Sequence, residues 1–298
     1  MESQYGSRRA IRMARHRAVS RTDVKKAQKA NKAGRNMGTA VAVGVTLSAI
    51  FLLSLLHPVA LSVLVMAAGG VGLYELAAAF ARKGIQLALP PLWVGLAGML
   101  VCANTLGIEG LFGAFCLTVM AALVWRLLDE PKGQRAARDI AASAFAATYV
   151  GFLGSFAVLM YVKAASPYPL VLTILLSICN DTGGLLVGMN FGKHPLAPHI
   201  SPKKSWEGFL GSILSTTVAG VLGIYLMGGN VIWGAVFGAL AAVIATCGDL
   251  GESLLKRNLE LKDMSDILPG HGGVMDRLDS ILVLLPFAYS FYYLALGW

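Results

Sequence analysis

Charge is scarce in this sequence. Only 14% of its 298 residues are Asp, Glu, Lys or Arg, against roughly a quarter in an ordinary soluble domain. Hydrophobic residues make up 56% and mean hydropathy is +0.66. That balance excludes a water-soluble globule and points to apolar runs that cross a hydrocarbon core of roughly 30 Å. Paired cysteines are also lacking. Cys102, Cys116, Cys179 and Cys247 are scattered through apolar runs with no CxxC, which excludes a disulfide framework or a thiolate zinc site and leaves them as small buried side chains. Residues 1–36 hold no apolar stretch and no small-residue cleavage site, so no signal peptide is expected. The first apolar run, Met37 to Leu56, is predicted to span the membrane and to direct insertion. No Ser–His or Cys–His pair marks a covalent nucleophile, and no internal repeat is found.

What is present is a polytopic, all-α pattern. About nine transmembrane helices are predicted, at 37–56, 58–80, 91–106, 108–128, 140–162, 168–188, 208–227, 231–247 and 280–297. With the N-terminus in the cytoplasm, the cytoplasmic segments are 1–36, 81–90, 126–139, 189–207 and 248–279. They hold 24 of the 25 basic residues, and only Lys163 falls on the far side. A wrong number of spans would scatter these charges onto both faces. The organisation expected is therefore a basic, disordered arm (1–36), N-terminal helices (37–166) and a C-terminal region (167–298) carrying the two long cytoplasmic loops. The arm has 11 basic residues against Glu2 and Asp23, which accounts for the whole net charge of +9. It reads as an anchor touching anionic membrane lipids. It lacks interleaved aromatics or a motif, so no nucleic-acid partner is expected. Small residues such as Gly220, Gly223, Gly234 and Gly238 suit close helix packing in lipid.

The chemistry-bearing residues concentrate in the two late loops. Asp249 follows an apolar run, while Asp276 and Asp279 open the last one, three apart and so on one helical face. Clustered carboxylates need a positive partner, and a hard cation such as Mg2+ is one solution; helix-terminal acids paired with Arg277 and Lys262 are the other. Gly270, His271, Gly272 and Gly273 form a turn able to offer N–H groups to an anion. Ser253, Lys256 and Arg257 lie one turn past Asp249. Asp181, after Asn180, falls inside an apolar run, where a charge marks a functional site, unless the helix breaks at Thr182-Gly183-Gly184. Glu75 is a second intramembrane acid, able to snorkel or pair. Ser201, Lys203, Lys204 and Ser205, with Glu207 at the mouth of the next helix, suit a polyphosphate. Acids for a metal, bases for phosphates and a glycine turn at one membrane surface fit phosphoryl or nucleotidyl transfer.

The last loop closely resembles the CTP:phosphatidate cytidylyltransferase (CDP-diacylglycerol synthase) family. The elements that carry the resemblance are Ser253, Lys256-Arg257, Lys262-Asp263, Pro269 to Gly273, Asp276-Arg277 and Asp279, each at the family's spacing. Upstream, Asp181-Thr182-Gly183, Phe191-Gly192-Lys193 and Ser201 to Ser205 with Glu207-Gly208 are similar to the family's second stretch. Gly184-Leu185 departs from its usual Ala-Tyr. The resemblance covers about 180–280, and the long basic arm resembles extensions of actinobacterial members.

The resemblance implies a Mg2+-dependent nucleotidyltransferase, with a second cation left open, that converts CTP and phosphatidate to CDP-diacylglycerol and diphosphate. It implies a homodimer in the plasma membrane with a site facing the cytoplasm. Carried onto this chain, Asp249, Asp276, Lys256 and Arg257 are catalytic, and Asp249, Asp276 and Asp279 hold the metal. The substrate-binding set is Asp181, Lys193, Ser201, Lys203, Lys204, Ser205, Glu207, Ser253, Lys262, Asp263, Gly270, His271, Gly272, Gly273 and Arg277. A polyprenol- or dolichol-kinase type of reaction, a transporter and a purely structural membrane protein are the alternatives.

Overall fold

The computed structural model describes residues 37–129 and 134–297. The basic arm 1–36 and Lys132 lie outside the described residues. Two compact units divide the chain at Leu47 and Ser48. In the first, the described part is the opening of helix α1 (Met37–Ser54), where the Thr46 hydroxyl donates back to the Ala42 carbonyl at 2.8 Å.

The second unit holds the other helices. They are α2 (Pro58–Ala81), α3 (Leu89–Thr105), α4 (Gly107–Leu128), α5 (Gln134–Ala146) and α6 (Leu153–Ala164), followed by α7 (Tyr168–Phe191), α8 (Trp206–Leu226), α9 (Val231–Asn258) and α10 (Met275–Leu296). A π-helical turn, Ala147–Phe152, joins α5 to α6 into one span. Seven helices among the described residues are long and apolar enough to cross a membrane, and Val41–Ser54 and Leu89–Thr105 are shorter apolar helices. Large apolar side chains face outward all along them, including Val94 at 74%, Leu117 at 72% and Leu294 at 81% exposure. Water would not tolerate so much exposed hydrocarbon, whereas lipid does. The chain is a multi-pass, all-α membrane protein, as its composition requires.

The alternation of basic loops is visible in contacts. Arg126 donates to the Gln86 carbonyl at 2.6 Å and pairs with Asp129 at 2.9 Å, while Asp139 accepts the Gln86 N–H at 2.9 Å. Lys83 pairs with Glu260 at 2.6 Å. Arg257 donates to the Ile200 carbonyl at 3.3 Å, and Lys204 pairs with Asp249. The four described basic segments thus meet at one end. At the other end the Tyr161 hydroxyl ties α6 to the Leu55 carbonyl at 2.8 Å.

Several expected boundaries move. The run ending at 247 continues as helix to Asn258. Hydropathy falls at Gly248-Asp249, but backbone bonding does not stop there. Glu252 and Lys256 form an (i, i+4) pair, and Lys256 and Arg257 suit the negative end of the helix dipole. The last helix starts at Met275, not 280. No break occurs at Thr182-Gly183-Gly184, where α7 runs unbroken. Those glycines serve packing: a β-carbon on Gly183 would collide with Ser215, and one on Gly184 would sit 2.5 Å from Ser212 Oγ. Loop 189–207 is also not plain coil. Its strands β1 (Pro195–Ala197) and β2 (Ser201–Ser205) form an antiparallel hairpin, with Pro195 opposite Ser205 and Ala197 opposite Ser201.

Candidate active site

Helices α7, α8, α9 and α10 and the β-hairpin enclose a cavity of about 470 Å³ at the basic end. Small residues bring the helices close. A β-carbon on Gly248 would lie 2.9 Å from the Asp279 carbonyl, so glycine there lets α9 touch α10 and sets Asp249 beside Asp279. Buried Asn180 knits three helices: its side-chain oxygen accepts from Thr246 at 3.2 Å, its carbonyl accepts from Ser212 at 2.6 Å, and its amide donates to Asp181 at 3.2 Å. Ser177 and Ser280 hydroxyls meet at 2.8 Å between α7 and α10.

The cavity carries both signs of charge. Asp181, Asp249, Asp263, Asp276 and Asp279 line it, with Lys203, Lys204, Lys256 and Arg277, and Ser201 and Ser205 complete the polar wall. Leu185, Leu196 and Phe209 form an apolar wall to the same space. Asp276 is held from three directions. Its Oδ1 accepts from Lys256 at 2.7 Å, and its Oδ2 accepts the N–H groups of Met264 and Gly273, both at 2.9 Å. Lys204 sits on Asp249. Burial holds the Lys204 ammonium below the usual lysine range, and Asp181 and Asp279 offset only part of that. Among the described residues no group of three His, Cys, Asp or Glu side chains stands ready for a metal ion. Lys204 stands on Asp249 and Lys256 on Asp276 instead.

Other expected site residues lie outside this cavity. Glu207 closes the hairpin: it accepts the N–H groups of Lys193 at 3.0 Å and His194 at 3.2 Å and meets the His194 ring at 2.6 Å. Lys193 contributes backbone there, and its side chain is exposed. Arg257 braces the hairpin through Ile200. Lys262 is exposed, and Ser253 is half-buried on α9 away from the cavity lining. The glycine turn spends three of its donors internally. The N–H groups of His271 and Gly272 go to the Leu268 carbonyl at 2.8 and 3.1 Å, and that of Gly273 goes to Asp276. Gly270 and Gly272 have φ of +78° and +81°, which glycine adopts without strain. The His271 carbonyl accepts from Arg277 at 3.0 Å.

Two acids matter more than their sequence context suggested. Glu75, 1% exposed, reaches from α2 to accept Val274 N–H at 2.9 Å, Met275 N–H at 2.8 Å and the Ser265 hydroxyl at 2.5 Å. It pairs rather than snorkels. Glu252, 2% exposed, faces Lys256 at 3.1 Å, beyond the point where hydropathy ends the helix. Its helical spacing from Asp249 and Lys256 is the signal that marks it, because the helix runs past 247.

Comparison with known proteins gives the family of the chain. A model of the cytidylyltransferase family matches residues 37–295. The chain is similar to phosphatidate cytidylyltransferases of Mycobacterium leprae, 34% identical over 268 residues covering 84% of this chain and 86% of the relative. It is likewise similar to that of Mycobacterium bovis, 34% identical with 86% and 88% covered. The Haemophilus influenzae protein of that name is 42% identical over 122 residues, 39% of this chain and 42% of its own. With nearly the whole membrane-spanning part matched, the chain belongs to the cytidylyltransferase family, that of the CTP:phosphatidate cytidylyltransferases.

Proposed function

We propose that this chain is a phosphatidate cytidylyltransferase: it joins CTP and phosphatidate into CDP-diacylglycerol and releases diphosphate. The observation that carries the reading is one cavity that combines acids, lysines and an apolar wall at the membrane surface. A phosphorylated lipid and a nucleotide need that combination, since a headgroup and a triphosphate must meet beside hydrocarbon. The charge rule puts the basic end, and so the cavity, in the cytoplasm.

Catalysis here is a matter of bringing two anions together. A phosphatidate oxygen attacks the CTP α-phosphorus. The new P–O bond forms as the bond to diphosphate breaks, with no covalent enzyme intermediate. The lipid phosphate is already largely ionised near neutral pH, so no strong base is needed. Lys203, Lys204, Lys256 and Arg277 line the space and would hold phosphates, with Ser201 and Ser205 donating hydroxyls. Arg257, Glu207 and Lys193 keep the hairpin over the cavity. Residues 263–273, Gly270 to Gly273 among them, wrap Asp276 and fix its direction. Residues 167–298 thus carry the chemistry and 37–166 the scaffold.

The family works with a divalent cation, and the donor set suits one by its chemistry, with Lys204 and Lys256 standing on two of the carboxylates in its place. Asp249, Asp276 and Asp279 offer hard carboxylate oxygens to a single cavity, with Asp181 beside them. When bound there, Mg2+ would supply positive charge to the phosphates as negative charge builds in the transition state. The resemblance adds a homodimer, which light scattering on the detergent-purified protein tests.

The reading is tested with purified protein, labelled CTP, phosphatidate and Mg2+. Label should enter the lipid phase only when all are present. Lipid labelling without phosphatidate, or solute flux in vesicles without CTP turnover, would overturn it.

A further inference from the structure

Glu252 stands apart from the residues used so far. It is 2% exposed, and among the described residues its carboxylate finds no partner beyond the neighbouring Lys256 ammonium. A buried carboxylate in that state is strongly unfavourable unless a countercharge stands close. Among the described residues the cation that faces it is Lys256, 3.1 Å away and one helical turn on. Behind Glu252 lies a separate cleft of about 200 Å³ walled by Phe145, Tyr149, Leu255 and Val283, and it offers little polar relief. Lys256 in turn is shared: its Nζ is 2.7 Å from Asp276 Oδ1. One ammonium therefore stands between two acids, one that lines the cavity and one that does not.

This matters because Lys256 covers the oxygen of Asp276 that a cation would use. The other oxygen is taken by two backbone N–H groups. If Asp276 were the sole partner, the ammonium and a divalent cation would compete for it outright. A displaced ammonium would be left in a half-buried place beside a like charge.

We infer that Glu252 is a positioning residue: it gives Lys256 a second anchor, so that the ammonium can leave Asp276 to a divalent cation and remain charged and aimed into the cavity for a phosphate. The inference rests on the cytidylyltransferase reading above, because it needs a cation at Asp276. It adds that the carboxylate of Glu252 touches neither substrate nor metal. It acts through Lys256 alone.

The test is Mn2+ binding, followed by electron paramagnetic resonance on the full chain in detergent without lipid or nucleotide. Glu252→Gln keeps the shape and removes the charge. It should weaken Mn2+ binding about tenfold, the size of effect typical of groups that orient a metal ligand. Lys256→Met should tighten binding, since the competing ammonium is gone. In that background Glu252→Gln should have no further effect. Equal affinity of Glu252→Gln and the natural protein would overturn the inference. So would the same loss with and without Lys256, because the charge would then act through its field rather than through the lysine. Should Glu252→Gln fail to fold, Glu252→Asp carries the same comparison, with an intermediate loss expected and natural affinity overturning the idea. If the natural protein binds no Mn2+ at all, the metal reading of the site fails first, and that result is distinct from the others.

Discussion

The Glu75 carboxylate accepts the Met275 N–H at 2.8 Å, across 200 residues of chain. It accepts the neighbouring Val274 N–H and the Ser265 hydroxyl as well. A carboxylate from α2 therefore caps α10 and clamps both ends of the loop that wraps Asp276. Negative charge at a helix N-terminus is favourable, and burial strengthens it. Glu75→Ala should leave three donors without an acceptor and destabilise the protein by at least ~2 kcal/mol. Thermal unfolding in detergent measures this. Glu75→Gln keeps the side-chain shape and one acceptor, and should fall between the two.

Gly248 and Gly251 make a matched pair on α9. A β-carbon at Gly248 would press on the α10 backbone at Asp279 and Ser280, whereas one at Gly251 meets nothing within 4 Å. Gly248→Val should separate the helices, cost about 1–3 kcal/mol of packing and abolish most turnover by displacing Asp249. Gly251→Ala should retain turnover and gain up to about 1 kcal/mol from helix propensity. Parallel assays of melting and CDP-diacylglycerol formation separate the two.

Lys83 and Glu260 join the first basic loop to the last at 2.6 Å. The hydrogen bond from Lys83 holds the Glu260 carboxyl below the usual glutamate range. A depressed carboxylate stabilises the fold above its unfolded pKa, and the contribution is lost as pH falls through the folded value. Because Glu260 is exposed, salt screens the pair. Lys83→Met should therefore lower the melting temperature only slightly at neutral pH in dilute buffer. It should not lower it at all in concentrated salt or in acid.

Asp276→Asn keeps the size of the side chain but loses the full charge that faces Lys256 and two backbone N–H groups. Turnover should fall by at least about a hundredfold while the protein stays monodisperse. The transition state gathers negative charge and depends on a fixed electrostatic environment. Near-natural production of CDP-diacylglycerol would remove Asp276 from the catalytic set.

Much of this was legible in the sequence because lipid imposes strong rules. Length and hydropathy set the spans, and the partition of Lys and Arg set the end at which they meet. The Asp276, Asp279 and Lys256 cluster was legible too, since its spacing is local. Helix ends were less so. Hydropathy reports where α9 leaves hydrocarbon, not where its hydrogen bonds stop, so Glu252 stayed hidden in a supposed loop. Gly183 and Gly184 read equally well as a break or as a packing face. Only the approach of Ser212 and Ser215 decides between them. Glu75 could not be placed at all by local pattern, because its partners are 190 to 200 residues away.

Which phosphate of CTP reaches the lipid separates cytidylyl transfer from phosphorylation. The decisive measurement is a paired incubation of the purified protein with phosphatidate, Mg2+ and CTP labelled at either the α- or the γ-phosphate. Label from the α position should appear in CDP-diacylglycerol, and label from the γ position should leave in diphosphate. Gamma label in the lipid product would instead mark a kinase, and it would contradict cytidylyl transfer as the work of this cavity.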